Sequence, residues 1–301
     1  MDNKNKQIGL IGLGVMGKPM AKNLLKGGFS LTVYDIKPEP VAELAALGAK
    51  TASSPAEVAS KCDIIITMLP NSPHVEAVVC GANGILEGIR PGSIYIDMSS
   101  ISPVLDKKLY DIMAEKGVEM LDAPVSGGEP KAKDGTMSIM VGGKQEVFDS
   151  VFDVFKAMGD AVTLVGDIGS GNTCKLANQI MVALHLAAVS EAMVFAEKAG
   201  VDPEKVYKAI RGGLAGSTML DAKMPMILDR NFKPGGPIWM HTKDLLNVRD
   251  AALAIDAPIP LTTQVLEAFK ACKCDGHVND DHCGVIQYWE KLANVKVERR
   301  K

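Results

Sequence analysis

Residues 6–17, KQIGLIGLGVMG, carry an apolar run into Gly12-x-Gly14-x-x-Gly17 and then pass straight into helix-like sequence, MGKPMAKNLLKGG. In a strand–turn–helix setting the three glycines have separate tasks. Gly12 permits a tight turn, Gly14 lets backbone approach a pyrophosphate, and Gly17 allows the helix to pack closely on the strand. The N–H groups at such a helix start face the phosphates. Gly12, Leu13, Gly14, Val15, Met16 and Gly17 therefore form a candidate dinucleotide-binding turn. The bare motif also fits an ordinary strand–turn–helix connection. Asp35 favours the binding reading: it follows a second apolar run, LTVY, 18 residues after Gly17, where a carboxylate accepts hydrogen bonds from an adenosine ribose.

Outward from that segment, strand and helix signals alternate to about residue 165, as a doubly wound parallel sheet requires. Apolar runs at Ile8 to Ile11, Leu31 to Tyr34, Ile64 to Leu69, Ile94 to Ile96, Val118 to Leu121, Ser138 to Val141 and Val162 to Val165 are the candidate strands. Ser54-Pro55-Ala56-Glu57 reads as a capping box, Ser72-Pro73 and Ser102-Pro103 repeat the Ser-then-Pro helix start, and Gly27-Gly28 reads as a helix stop. Beyond Val165, apolar spacing of three and four residues dominates. It predicts one long helix from about Ser170 to Lys198, then helices at Asp202–Arg211, Met219–Asp229, Thr242–Ile255, Pro260–Cys272 and Asp281–Val297. The expected architecture is an α/β fold: a Rossmann-type domain over 1–165 and an all-α domain over 166–301, joined by the long helix. Two domains also suit 301 residues, a length at which single cores have usually stopped growing.

A net charge of −3 and a pI near 6.0 give no support to a nucleic-acid or membrane-surface partner. The opening MDNKNKQIGL enters the first strand without a basic segment and cleavable apolar stretch, so a cytoplasmic location is expected. LANQIMVALHLAAVSEAMVFA has the length of a membrane span, but Asn178, Gln179, His185, Ser190 and Glu191 interrupt it, which suits a helix buried in protein. Cys272, Cys274 and Cys283 cluster with His277 and His282, yet their spacing is not a familiar zinc pattern. Reduced, partly buried thiols are expected there, and no metal.

The chemistry concentrates at the start of the long helix, where Asn172, Lys175 and Asn178 are three residues apart and share a face. The positive end of a helix disfavours a cation and should lower the pKa of Lys175, as an acid/base lysine requires. Beside a nicotinamide such an ammonium can protonate the alkoxide formed as hydride reaches a carbonyl carbon. An ordinary solvated lysine is the competing reading. A second candidate is Asp122-Ala123-Pro124-Val125-Ser126-Gly127-Gly128, directly after a strand, where consecutive N–H groups and a hydroxyl can hold a carboxylate, or simply make a turn.

The segments GLGVMGKPMAKNL, DAPVSGG, GNTCKLANQ and HTKDL, in that order over nearly the whole chain, resemble those of the β-hydroxyacid dehydrogenases. The resemblance implies Lys175 as catalytic acid/base, with Ser126, Gly127, Gly128 and Asn178 binding a substrate carboxylate and hydroxyl. For the cofactor it implies the Gly12 to Gly17 turn, Asp35, Leu69, Pro70, Ser100 and Lys243; NAD is expected, with NADPH weaker because Asp35 would face and repel its extra 2′-phosphate. Ser100 stands where many members have threonine, and Gln179 replaces the second asparagine of the commoner KxxNN pattern. The implied reaction is reversible reduction of a small 3-oxo acid, in a homo-oligomer, a dimer or tetramer. A dinucleotide-binding module without activity is the alternative from another class, and Lys175 argues against it.

Overall fold

The structure, a computed structural model, describes residues 3–300. Nine strands make one sheet: β1 Gln7–Ile11, β2 Ser30–Tyr34, β3 Lys50–Thr51, β4 Ile64–Thr67, β5 Ile94–Asp97, β6 Glu119–Asp122, β7 Val125–Ser126, β8 Met137–Gly142 and β9 Gly159–Gly166. Its order is β3-β2-β1-β4-β5-β6-β8-β7, with β9 also paired to β8. The first six of these run parallel. Because helices cover both faces, β4 and β5 are buried at every position, and alternate residues feed different cores. Ile64, Ile66 and Ile96 join one cluster with Leu10 and Val33, while Ile65 and Tyr95 join another with Val58 and Leu109.

Two strands depart from the expected all-parallel sheet, β8 and, parallel to it, β9. β8 runs antiparallel to both β6 and β7. The physical reason is the length of the connection. Only the short helix Gly128–Asp134 separates β7 from β8, and a parallel crossover needs a dozen residues or more. β3 and β7, two residues each, give no periodicity and were not anticipated.

Packing divides the chain into two compact units, one up to Lys175 and one from Leu176. The second is helical: the rest of the long helix Ser170–Lys198, then Pro203–Ile210, Thr218–Leu228, Ile238–Ala254, Pro260–Cys274 and Ile286–Ala293. Phe269, Ile238, Leu245, Met224 and Val285 are its fully buried centre. By length and composition the helix Ser170–Lys198 could cross a membrane, with mean hydropathy 1.6 and 39% of its most apolar window buried. It nonetheless carries buried Asn172, Lys175, Gln179 and Ser190.

Several boundaries differ from the sequence reading. The helix expected from Thr242 begins at Ile238, which fills the core directly after Pro237. The single helix expected over Asp281–Val297 is a 3₁₀ turn, His282–Val285, followed by an eight-residue helix that stops at Asn294 in the left-handed conformation. Ser54 and Ser102 cap their helices as expected, each accepting from a backbone N–H inside. Glu57 departs from the capping box, bonding Ser53 instead of closing the box on Ser54. At the third site the N-cap is Asn71, and the Ser72 hydroxyl instead accepts from Ser102 N–H.

Candidate active site

Strand register assembles the site. Tyr34, Ile11, Thr67, Asp97 and Asp122, the last residues of five parallel strands, lie in one row across the sheet. From that carboxyl-terminal edge emerge Gly12 to Gly17 after β1, Asp35 after β2, Leu69 and Pro70 after β4, Ser100 after β5 and Ser126 after β6. This is where open α/β sheets take ligands.

The glycines meet their three requirements separately. Gly12 has φ +95°, and a Cβ there would strike the carbonyl oxygen of Met68. A Cβ on Gly17 would overlap the carbonyl of Gly12, so helix and turn touch only because it is absent. Beside Gly14 nothing lies within 4 Å, leaving room for close approach of a pyrophosphate. The half-buried Asp35 carboxylate accepts from Leu13 N–H at 2.6 Å and Lys37 N–H at 2.8 Å, which ties the end of β2 to the turn. Leu69 N–H donates to the buried Ser99 hydroxyl at 2.9 Å, fixing the loop after β4 against the loop after β5. These features fit a dinucleotide.

Ser126 pairs with Ser138 across β7 and β8, and the chain then turns through Gly127 at φ +137°. A Cβ on Gly127 would run into the Lys131 side chain at 2.7 Å. Behind this turn the same unit buries three carboxyls, Asp97, Asp106 and Asp122, all without solvent exposure. Burial pushes Asp97 up to about 6 against hydrogen bonds from Ser99 and Thr67. It raises Asp106 well above the carboxylate range, helped by neighbouring Asp122 and Asp97. Asp122 is raised by burial to about 6, against backbone N–H groups that include those of Asn172 and Gly169.

Lys175 is 7% exposed and lies one turn past Asn172. Asn172, Lys175 and Asn178 lie three residues apart on the helix Ser170–Lys198. Asn172 turns inward, accepting from Ile101 N–H and donating to Asp106.

Asn178, Gln179 and Lys243 belong to the helical unit. Asn178 donates to Gln179 Oε1 at 2.9 Å, and Gln179 donates onward to Asp244 at 2.6 Å. Lys243 sits 2.7 Å from the same Asp244. The longer Gln179 thus has a role, reaching a carboxylate on the helix Ile238–Ala254.

The Cys/His-rich segment is spread through that unit. Cys272 and Cys283 are buried, and burial drives their thiols up, Cys272 to about 11. Cys274 is exposed, and His277 pairs with Asp280. Asp281 is fully buried and accepts from Lys223, Cys283 N–H and Gly235 N–H. Burial opposes its charge, but His282 and Lys223 hold it down to about 2. Burial, with His241 alongside, pushes His282 down to about 3, so at neutral pH Lys223 is the standing counter-charge. Among the described residues no group of three or more His, Cys, Asp or Glu side chains is arranged to hold a metal ion.

Residues 7–166 match the family model described as the NAD binding domain of 6-phosphogluconate dehydrogenase. Residues 169–289 match that of the NAD-binding region of NADP-dependent 3-hydroxyisobutyrate dehydrogenase. The chain belongs to the β-hydroxyacid dehydrogenase family. It is 44% identical to 2-hydroxy-3-oxopropionate reductase of Escherichia coli K12, over 97% of this chain and 99% of that protein. It is 37% identical to 2-(hydroxymethyl)glutarate dehydrogenase of Eubacterium barkeri, over 98% of each. The solved 3-hydroxyisobutyrate dehydrogenase of Mycobacterium tuberculosis superposes with TM-score 0.88 at 30% identity, covering 94% of this chain and 99% of that one.

As a β-hydroxyacid dehydrogenase, the chain is an NAD(P)-dependent oxidoreductase with a Rossmann-type sheet and a helical C-terminal part. Two features of this dehydrogenase were outside the sequence reading: the Asp122–Asn172–Asp106 network and the Gln179–Asp244–Lys243 chain. The available signal was a buried-looking Asp at a strand end and a Lys-Asp pair beside an amide. Neither announces a partner that lies distant in sequence.

Proposed function

We propose that the chain reduces tartronate semialdehyde, 2-hydroxy-3-oxopropanoate, to glycerate and prefers NADH to NADPH. The observation that carries the chemistry is Lys175, a nearly buried ammonium in the same compact unit as the dinucleotide turn and the Ser126–Gly128 turn. The bound dihydronicotinamide supplies a hydride. Gly12 to Gly17, Asp35, Leu69, Pro70, Ser100 and Lys243 hold that cofactor. The Ser126 hydroxyl and the N–H groups of Gly127 and Gly128 bind the substrate carboxylate, and Asn178 binds its hydroxyl. Lys175 protonates the carbonyl oxygen as it gains alkoxide character and takes the proton back in the oxidative direction.

Substrate choice rests on the 44% identity to 2-hydroxy-3-oxopropionate reductase. It rests also on MLPNSPHV, DMSSIS, DAPVSGGEPKA, RGGLAGST, DRNFKPG and DGHVNDDH, which resemble that enzyme's segments within the family. The test compares kcat/KM for tartronate semialdehyde and malonate semialdehyde, which lacks only the 2-hydroxyl. A site built to bind that hydroxyl discriminates by up to about 10⁴-fold, because its absence leaves buried polar groups unpaired. Equal values would move the assignment to a broader 3-hydroxyacid dehydrogenase. That second reading, a 3-hydroxyisobutyrate dehydrogenase-like activity, is favoured by the model matched over residues 169–289 and by the superposition at TM-score 0.88. Oxidation of 3-hydroxyisobutyrate in the same assay distinguishes it.

A further inference from the structure

We propose that Asp122 is a positioning residue: its buried carboxylate locks the helical turn leading to Lys175 onto the strand leading to the Ser126–Gly128 turn. The proposal rests on the reading of Lys175 as the acid/base.

Asp122 ends β6, and Ser126 is four residues on. One carboxylate oxygen accepts from Gly169 N–H and the other from Asn172 N–H, both at 2.7 Å. These donors stand at the start of the long helix, among those an α-helix leaves without an internal acceptor. Asp122 thus does from a neighbouring strand what an N-cap side chain does within the chain. Two glycines make the space. A Cβ on Gly142 would overlap one Asp122 oxygen, and a Cβ on Gly171 would lie 2.6 Å from the Asp122 carbonyl and 2.8 Å from the other carboxylate oxygen. The Asn172 side chain finishes the clamp, reaching Ile101 N–H at 3.1 Å and Asp106 at 2.8 Å. One turn of helix is thereby pinned to β6, to the loop after β5 and to the helix Pro103–Glu115.

Lys175 follows one turn later, so a slip of this turn moves its ammonium relative to a carboxylate seated on Ser126–Gly128. Misplacement by about 1 Å costs on the order of 10²-fold in rate. The clamp also carries charge. The carboxyls that interact with Asp122 are Asp97 on β5 and Asp106 on the helix Pro103–Glu115. Two backbone N–H donors favour the charged form of Asp122, which places negative charge near the base of the lysine's turn and favours the ammonium.

The experiment measures D122N, G171A, K175A and the double variants with K175A for NADH binding, kcat, KM and the pH profile of aldehyde reduction. D122N cannot accept from both N–H groups and carries no charge. Its kcat is expected to fall on the order of 10²-fold, with NADH affinity and aldehyde KM little changed. The alkaline limb of its kcat profile should move to lower pH. G171A displaces the clamp but keeps the charge, so its kcat falls and its limb stays. In the K175A background neither change should lower the residual rate further, because both act through the lysine. A folded D122N with wild-type kcat and an unmoved limb overturns the proposal. So does a full additional loss on top of K175A, which would mean general damage. If D122N does not fold, the G171A cycle with K175A decides by the same additivity criterion. Normal turnover by K175A overturns the lysine reading itself, whereas an inactive K175A beside an indifferent D122N overturns only the clamp.

Discussion

The proton assigned to Lys175 has a direct measurement. Lys175→Ala should lower kcat by roughly 10²- to 10⁴-fold, the range for losing a general acid. NADH binding should persist, because the Gly12–Gly17 turn and Asp35 are untouched. Near-wild-type turnover in the folded variant would place the proton donor elsewhere. At Asp35 the issue is cofactor choice. Its carboxylate already holds Leu13 and Lys37 N–H groups, and its charge repels the extra 2′-phosphate of NADPH. The exposed Lys37 side chain offsets part of that repulsion, so a preference is expected and not an exclusion. Asp35→Asn should bring the kcat/KM ratio for NADH over NADPH toward one. A wild-type preference for NADPH would refute the assignment.

Among the elements, the strands buried on both faces were the most legible, because IGLI, Ile64 to Ile66 and Ile94 to Ile96 are continuous apolar runs. The direction of β8 was not, since it depends on the length of its connection and not on its own residues. Helix starts at Ser54 and Ser102 were legible because the capping oxygen is local. The end of the last helix was not. Its apolar spacing continues past Asn294, while the helix stops there at a residue in the left-handed conformation. The site divides the same way: the glycine turn and Asp35 are a local motif, but the bond from Asn172 N–H to Asp122 spans 50 residues and exists only in the fold. That last helix yields a stability prediction. Glu290 is 6% exposed, takes both Arg230 guanidinium nitrogens at 2.6 and 3.1 Å, and accepts from Val297 N–H at 2.8 Å. Glu290→Ala leaves a mostly buried cation unpaired. The expected loss is roughly 3 kcal/mol, the low end for a broken buried pair because Arg230 keeps some exposure. A urea titration followed by Trp289 fluorescence measures it, and a loss within error of zero would contradict it.

Over the whole molecule, acid should act oppositely on the two units. Asp97 and Asp122 are raised from 3.8 to about 6 in the folded state. Their contribution is greatest below the unfolded value and is lost as pH rises through 6. In the helical unit His282 is lowered from 6.5 to about 3, so its contribution is present above 6.5 and is lost as pH falls through that interval. Asp281, lowered from 3.8 to about 2, adds a further loss only in stronger acid. Going from pH 7 to pH 5 should therefore weaken the helical unit and spare the sheet, by on the order of 1 kcal/mol per group. Trp239 and Trp289, the two tryptophans of the chain, both lie in the helical unit. Their fluorescence in urea reports that unit, while hydrogen exchange of the β1, β4 and β5 amides reports the other. Equal acid destabilisation by both probes would contradict the prediction. The seam between the units falls between Lys175 and Leu176, inside the unbroken helix Ser170–Lys198. A genetic crossover at that bond cuts no loop and needs no linker, since a helix continues across it in either parent. Such a recombinant would inherit the dinucleotide turn, Asp122, Ser126–Gly128 and Lys175 as one heritable block, and Asn178, Gln179 and Lys243 as another. New substrate preferences would then be open to the lineage by shuffling halves as well as by single substitutions.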